Sequence, residues 1–464
     1  MKALIIAAGR GSRLNGLTKD KPKSLIQILG LSLIERAILT AKQAGIGEFV
    51  VTVGYLGEKI KAILGDGRKF GLKITYVENK EWEKGNGVSV LKAKGLLSNG
   101  NFILLMSDHV FDVRILKELV DYETRSSVVL AVDRTEQSPG DTKVLEKRGK
   151  ILDIGKDIEV SNCIDAGIFL CTAKIFSYIE EAVKEGKTEL TDCIDEAVKN
   201  RDAEIFYITQ IESYASKMRK EIEPWWIDID TEKDLTKAKE IIIENASKNP
   251  SDALAYYVHK PLENKIVAFI STFNITPNQL TIIVNILAYT VTGLYLFGHL
   301  LPASILSFVV GLADGLDGKL ARVKLKTSKL GSLEHSFDLL FEFSWFIALS
   351  WFLFSATQDV LPLILAILII LFIAFYRKIY DQFRNATGRS LDDMGDFERK
   401  FKRIAGRRNL YNIPILIGVL LVPVYSFYAL TYSLIFILFQ SGATAIVYSI
   451  RSIKHMHAMD TQNN

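Results

Sequence analysis

From about residue 275 onward the sequence carries apolar runs long enough to cross a bilayer, with carboxylates standing inside them or at their ends. An acidic side chain at membrane depth costs roughly 2.5–3.5 kcal/mol. The stretch DGLDGKLAR, Asp314 to Arg322, directly follows LPASILSFVVGLA and places Asp314 and Asp317 one helical turn apart. In the next apolar run Glu334, Asp338 and Glu342 recur at i, i+4 and i+8. Acids snorkelling at helix ends would account for one of these groups. The whole set is tolerable only around a hydrated cavity where the carboxylates share metal ions.

The sequence changes character near the same place. Before about residue 250, short β-branched runs alternate with amphipathic stretches. ALIIAA, EFVVTVGY, KITYVE, NFILLMSD, SVVLAVD, AGIFLCT and AEIFYIT read as strands; LIERAILTAKQAG and ILKELVDYE read as helices. This alternation predicts a mostly parallel sheet covered on both faces. A helix from about Thr231 to Ala246 closes a first domain, residues 1–246. SKNPSD, Ser247 to Asp252, reads as a linker, and the amphipathic segment from Asp252 to Thr272 as a helix at the membrane surface. Residues 273–464 form the membrane domain.

Six spans are expected there: about Pro277–Phe297, Pro302–Leu320, Leu333–Phe354, Leu361–Phe375, Leu410–Tyr425 and Ala429–Tyr448. Lys319, Arg322, Lys324, Lys326 and Lys329 lie between the second and third, and Arg377 to Arg408 is dense in Lys and Arg between the fourth and fifth. The loops GHL, SATQD and SFY carry almost no positive charge. The positive-inside rule then places both basic loops and both termini in the cytoplasm of a multi-pass cell-membrane protein. The start, MKALIIAAGRGSR, mimics a signal peptide, but its apolar run from Ala3 to Ala8 is too short and Arg10 and Arg13 follow at once. It reads as a first strand. A net charge of +4 without a Lys/Arg stripe argues against nucleic-acid binding. Cys163, Cys171 and Cys193 lie far apart without metal or redox spacing and read as buried thiols.

AAGRGSRL follows the first strand, so Gly9 and Gly11 let backbone N–H groups approach an anion, with Arg13 adding charge. A dinucleotide fingerprint would place a third glycine where Leu14 stands, and no Walker A loop is present. Downstream, TKDKPKSL brings Lys19, Lys21 and Lys23 near this loop; Pro22 and Leu25 fix the segment, so one lysine should point inward. G-x-G-x-R-L, K-P-K, the Asp of LLMSD (Asp108) and the motif WIDID together resemble the sugar-1-phosphate nucleotidyltransferase family over roughly residues 1–245. The resemblance implies a Rossmann-like mixed sheet, a nucleotide triphosphate held by Gly9, Gly11 and Arg13, and Lys23 at the α-phosphate. Asp108 and Asp228 would hold Mg²⁺, or Mn²⁺ in its place, with Asp230 competing for the second position. EKGNGVS, including Gly85, and MSDH look most like inositol-1-phosphate cytidylyltransferases.

D-x-x-D-G-x-x-A-R resembles the signature of the CDP-alcohol phosphotransferases, over about Leu254–Lys454, and Thr276-Pro277-Asn278 and Gly331 also fit. That family implies an all-α domain of six spans, a homodimer, two metals on four acids, and the last acid as base. Here Asp314 and Asp317 would be metal ligands, with Gly315, Gly318 and Arg322 at the CDP pyrophosphate. The next expected acids are replaced by His335 and Leu339, and the nearest pair, Glu334 and Asp338, stands one residue early, about 100° around a helix. Glu334 is favoured as metal ligand and Asp338 as ligand and base; His335 as ligand, or Asp338 with Glu342, remain open.

A half that makes a CDP-alcohol, fused to one that consumes it, resembles bifunctional enzymes of compatible-solute synthesis in hyperthermophiles. The implied sequence is CTP plus inositol 1-phosphate to CDP-inositol, then transfer to a second inositol 1-phosphate with release of CMP. Arg407 and Arg408, before the fifth span, are the favoured acceptor-phosphate residues among the basic side chains Arg377 to Arg408. Two other readings stand beside it: the same chemistries with another polyol phosphate or a lipid acceptor, and a membrane-anchored nucleotide sensor.

Overall fold

The computed structural model describes the 464-residue chain apart from positions 12, 13, 15, 17, 136–139, 212–222, 248–253, 327–333 and 464; the side chains of 255, 334, 335, 462 and 463 also fall outside the description. The chain divides into two compact units, one built from Met1–Ala215 with the segment up to Ile242, the other from Ile243–Asn464.

In the N-terminal unit the strands are β1 (Lys2–Ala7), a two-residue hairpin of β2 (Gln27–Ile28) and β3 (Leu31–Ser32), β4 (Glu48–Val53) and β5 (Lys73–Glu78). Then follow β6 (Phe102–Met106), β7 (His109–Phe111), β8 (Val128–Asp133), β9 (Lys143–Lys147) and β10 (Lys150–Gly155). β11 (Cys163–Cys171), β12 (Ala203–Tyr207) and β13 (Trp226–Asp228) complete the set. Nine of them form one sheet, ordered β10-β9-β11-β6-β1-β4-β5, with β8 on β11 and β12 on β8. β1 lies between β4 and β6 in parallel register. The expectation of a mostly parallel sheet is corrected here: β11 runs antiparallel to β6, β8 and β9, so four ladders are parallel and four antiparallel. β9 and β10 form a hairpin that the sequence reading passed over, because KVLEK and KILDIG carry too many charges to stand out as strands.

Alternation along β1 explains its two-sided burial. Ala3, Ile5 and Ala7 join an apolar core on one face, and Leu4 and Ile6 join a second core on the other. The helix Leu33–Gln43 starts at a capping box in which Ser32 accepts from Glu35 N–H and the Glu35 carboxylate accepts from Ser32. Its Arg36 is buried, donating to the carbonyl of Ile28 at 2.7 and 3.1 Å. All three cysteines are free and buried.

Among the described residues the C-terminal unit contains six helices long and apolar enough to cross a membrane: Pro277–Leu296, Leu300–Val323, Ser336–Thr357, Leu361–Thr387, Arg408–Tyr425 and Tyr428–Thr461. Thr276 caps the first in a capping box with Gln279, and Pro277 occupies its first turn, where a missing N–H is harmless. The second breaks at Asp314 into Leu300–Ala313 and Leu316–Val323. Tyr295, Phe341 and Tyr411 pack inside the bundle, while Ile286, Ile305, Ile347, Ile367, Leu420 and Phe439 are exposed on all six helices, the surface a multi-pass membrane domain presents to lipid. The fourth helix continues past the expected end at Phe375 to Thr387, because RKIYDQFRNAT remains helical after its hydropathy is lost. The segment read as interfacial is helical over Ala255–His259 and Lys260–Ile270, with Tyr256, Tyr257 and Phe269 exposed.

Because Ile5 is 0 % exposed at the centre of the sheet, Ile5→Ala should destabilise the N-terminal unit by about 2–5 kcal/mol and Ile5→Val by about 1 kcal/mol. Thermal unfolding of the full chain should show the midpoint falling in that order; equal midpoints would contradict the packing described.

Candidate active sites

β1 leads into Gly9-Arg10-Gly11, and a short turn at Lys23–Leu25 crosses beneath it. Gly11, at φ +72°, allows this crossing: a side chain there would overlap the Lys23 side chain. Pro22 precedes the turn in extended conformation. Of the three lysines in TKDKPKSL, Lys23 is the buried one, 9 % exposed, while Lys19 stays on the surface.

Lys23 Nζ donates to Asp108 Oδ2 at 2.7 Å and to Asp230 Oδ1 at 2.8 Å, and lies 3.6 Å from Asp228 Oδ1. Asp108 follows β6; Asp228 ends β13, which pairs with β7 so that Asp228 stands opposite His109. His109 Nδ1 is 2.9 Å from Asp108 Oδ1 and 3.8 Å from Asp228 Oδ1, and its ring stacks on Trp226 at 6.0 Å. The second-aspartate alternatives thus divide: Asp230 takes the closer bond to Lys23, and Asp228 faces Asp108 and His109.

Burial by itself would lower the Lys23 amine, yet Asp108 and Asp228 outweigh it and hold the amine above its ordinary value. Burial likewise acts to raise Asp108, but Lys23 and His109 hold its carboxyl well below the usual range. Burial pushes Asp228 up, with His109 opposing. His109, which burial would lower, is raised to about 9 by Asp228 and Asp108.

These groups line a cavity of about 360 Å³ that also includes Gly9, Gly11, Asn86, Asp165 and Glu189. Gly85 packs against the carbonyl of Thr188, and its neighbour Asn86 reaches the cavity instead, accepting from Leu190 N–H at 2.7 Å. Arg13 lies outside the described residues. Ligand atoms of Asp108, His109 and Asp228 fall within 4.8 Å of one another. Asp228 Oδ1 is buried without a hydrogen-bond partner, so the Asp108 and Asp228 oxygens fit a divalent cation; His109 would have to give up its proton to serve as a third donor. His109 was not among the sequence candidates; its signal was its place in MSDH.

In the C-terminal unit Asp314 ends the helix Leu300–Ala313 and is ion-paired with Arg408. Asp317, 5 % exposed, accepts from Thr281 Oγ1 on the first span and from Gly318 N–H at 2.5 Å. Glu342, 1 % exposed, pairs with Arg377 at 2.5 Å. Arg408 feels the charges of Asp314, Asp338 and Glu342, and its guanidinium lies over the Phe341 ring at 4.8 Å. Three acids from two spans therefore gather around two arginines from two others. The side chains of Glu334 and His335, and Gly331, lie outside the description. Among the described residues no three metal-ligating side chains converge in this unit.

Arg322 Nε donates to the carbonyl of Ala246 at 2.6 Å. The Glu263 carboxylate fills the space in front of Gly315, 3.2 Å from where a Cβ would stand, and the Arg322 guanidinium flanks Gly318. Burial raises the Glu263 carboxyl, with Lys319 opposing. Arg407 is half-buried toward Tyr448, Asp392 and Tyr380, whereas its neighbour Arg408 reaches the acids.

Comparison with known proteins matches residues 2–245 to the model of the nucleotidyl transferase family and residues 274–439 to that of CDP-alcohol phosphatidyltransferases. The chain is 32 % identical over 379 residues to the "Bifunctional IPC transferase and DIPP synthase" of Aquifex aeolicus, covering 79 % of this chain and 80 % of that protein. The protein of the same name from Archaeoglobus fulgidus is 30 % identical over 368 residues, 78 % of this chain and 68 % of its own. A solved structure of the inositol-1-phosphate CTP transferase from T. maritima matches 52 % of this chain and 94 % of its own at 26 % identity, with a TM-score of 0.45. The chain belongs to the family of bifunctional IPC transferases and DIPP synthases, joining a nucleotidyl transferase to a CDP-alcohol phosphatidyltransferase.

Proposed function

We propose that the chain makes CDP-inositol and pyrophosphate from CTP and inositol 1-phosphate, and then transfers the phosphoinositol group to a second inositol 1-phosphate with release of CMP. The observation that carries this reading is the presence in one chain of two acidic clusters, each already balanced by its own cations and each within its own family match.

In the first step the backbone N–H groups of the Gly9–Gly11 loop receive the triphosphate. Lys23 turns from its carboxylates to the α-phosphate, and Asp108 and Asp228, with His109 beside them, would hold Mg²⁺ or Mn²⁺. When bound, that cation offsets phosphate charge and aligns the leaving pyrophosphate. What remains for the protein is positioning and charge neutralisation. In the second step Asp314 and Asp317, with Glu334, would hold a divalent cation that offsets the pyrophosphate charge, and Asp338 takes the proton of the attacking hydroxyl. Arg408 exchanges Asp314 for the acceptor's phosphate, a dianion that no carboxylate could receive. We place both basic loops and the N-terminal unit in the cytoplasm, where CTP is available, and the working protein as a homodimer.

Phosphorus NMR of the detergent-purified chain with CTP, Mg²⁺ and inositol 1-phosphate should show a phosphodiester together with CMP. Accumulation of CDP-inositol and pyrophosphate without CMP would point to a lipid acceptor instead, and absence of pyrophosphate would overturn the inositol assignment. Asp317→Asn should lower CMP release by at least about 100-fold while pyrophosphate release stays at the wild-type rate. Lys23→Met should lower pyrophosphate release by a similar factor. It leaves Asp230 without its cation and Asp108 and Asp228 with His109 alone, so in metal-free buffer it should also destabilise by about 1–3 kcal/mol after allowance for solvent screening. Mg²⁺ should then raise the melting midpoint of Lys23→Met more than that of wild type.

A further inference from the structure

The connection between the fourth and fifth spans carries an amphipathic segment that neither reaction uses. The helix Asp396–Lys402 and the turn after it divide by face. Glu398 and Ala405, two turns apart, point inward and are 4 % and 1 % exposed. Phe397 and Ile404, also two turns apart, are 50 % and 66 % exposed. Lys400 stands between them on the same side and Arg403 next to Ile404, both exposed. The cations of this segment differ in their partners. Arg399 pairs with Asp396, and Lys402 with Asp392 at 2.8 Å. Lys400 and Arg403 have no side-chain partner among the described residues.

The last span fixes the depth of this segment. Near its end, Arg451 ion-pairs with Glu398 and lies over the Phe397 ring at 5.1 Å, and His455 Nε2 is 2.7 Å from Glu398 Oε1. Further in, Phe401 meets the Tyr448 ring edge-on at 5.9 Å. Deeper still, Thr444 Oγ1 accepts the Gly406 N–H at 2.8 Å, and Gln440 Nε2 donates to the Ile404 carbonyl at 3.0 Å. The segment therefore descends from the level of Arg451 to that of Gln440, about 16 Å along a helix rising 1.5 Å per residue. Over that stretch the last span exposes Phe439, Ile446 and Ile450, the surface it presents to lipid. Ile404 thus stands at acyl-chain depth, and Lys400 one turn nearer the membrane edge. Water around this segment would leave Phe397 and Ile404 unburied, and an acidic protein would have to enter the bilayer to reach Ile404. A lipid with a negative headgroup meets both demands: its chains cover the apolar side chains, and the lysine and arginine stems run up to its phosphate.

We propose that the segment Phe397–Ile404 is a binding surface for anionic membrane lipid, with Phe397 and Ile404 among the acyl chains and Lys400 and Arg403 on the headgroup phosphate. This goes beyond the two reactions and does not depend on their substrates.

The test uses the full chain reconstituted in phosphatidylcholine bilayers, with electron spin resonance of trace spin-labelled phosphatidylglycerol or phosphatidylcholine reporting the lipid held at the protein surface. Wild type should hold phosphatidylglycerol in preference to phosphatidylcholine at low salt. The double variant Lys400→Gln/Arg403→Gln should lower that preference by at least about twofold with an unchanged melting midpoint. Salt at about 1 M should lower it likewise, and Lys400→Arg/Arg403→Lys should keep it. In a second measurement Ile404→Cys carries a nitroxide, the native cysteines being buried. Oxygen should relax that label more than a water-soluble nickel chelate does. The same lipid preference in wild type and the glutamine variant would overturn the proposal, because the two cations would then hold no lipid. A nitroxide relaxed mainly by the nickel chelate would overturn it as well, placing Ile404 in water and leaving the surface to a soluble partner.

Discussion

Three carboxylates share one lysine. Lys23 draws Asp108 and Asp230, which stand 85 and 207 residues away from it in sequence, onto a single ammonium group, with Asp228 just outside hydrogen-bond distance. Without that cation Asp230 would lose its ion-pair partner, and Asp108 and Asp228, at the ends of β6 and β13, would have His109 alone against their mutual repulsion. The geometry also fixes what the cavity can accept. A polyanion that takes the lysine leaves the carboxylates needing another cation, so anionic substrate and divalent metal are complementary guests of this site.

The membrane unit repeats the arrangement with arginine. Arg408 lies on Asp314 and Arg377 on Glu342, and the planar guanidinium of Arg408 adds a face-on contact with Phe341. Acids carried by the second and third spans are thereby neutralised by bases that begin the fifth and extend the fourth. The break of the second helix at Asp314 belongs to the same design. It turns Asp317 toward Thr281 on the first span while Asp314 faces Arg408, so the two aspartates of the signature have different partners despite their spacing of one turn.

Much of this was legible because the signals are local. Strand β5 occupies KITYVE as read, the helix after Ser32 begins where LIERAILTAKQAG begins, and six apolar runs became six apolar helices. Pro22 and Leu25 indicated that one of three lysines turns inward, and the family resemblance pointed to Lys23, the buried one. What escaped notice depends on contacts distant in sequence. Nothing in CIDAGIFLC says that it runs antiparallel to β6, and only that reversal brings Asp165 to the cavity. His109 acquires its place from the β7–β13 pairing, and Arg322 acquires a backbone partner from the residue Ala246, 76 positions earlier. Hydropathy ended the fourth span at Phe375, although a helix needs no apolar residues to continue once tertiary contacts hold one face.

The buried ion pairs also bear on why these residues are present at all. Breaking such a pair by removing one partner is destabilising, but replacing both partners with apolar groups is often neutral or stabilising. A membrane bundle whose interior already packs Tyr295, Phe341, Trp345 and Tyr411 has no structural need for Asp314, Glu342, Arg377 and Arg408. Leucines there would span the bilayer with less desolvation. The same holds for Asp228, whose buried Oδ1 lacks a hydrogen bond. Each is a group the fold tolerates and a ligand would satisfy. Stability therefore does not explain the charge pattern of this chain, and the binding of charged ligands does.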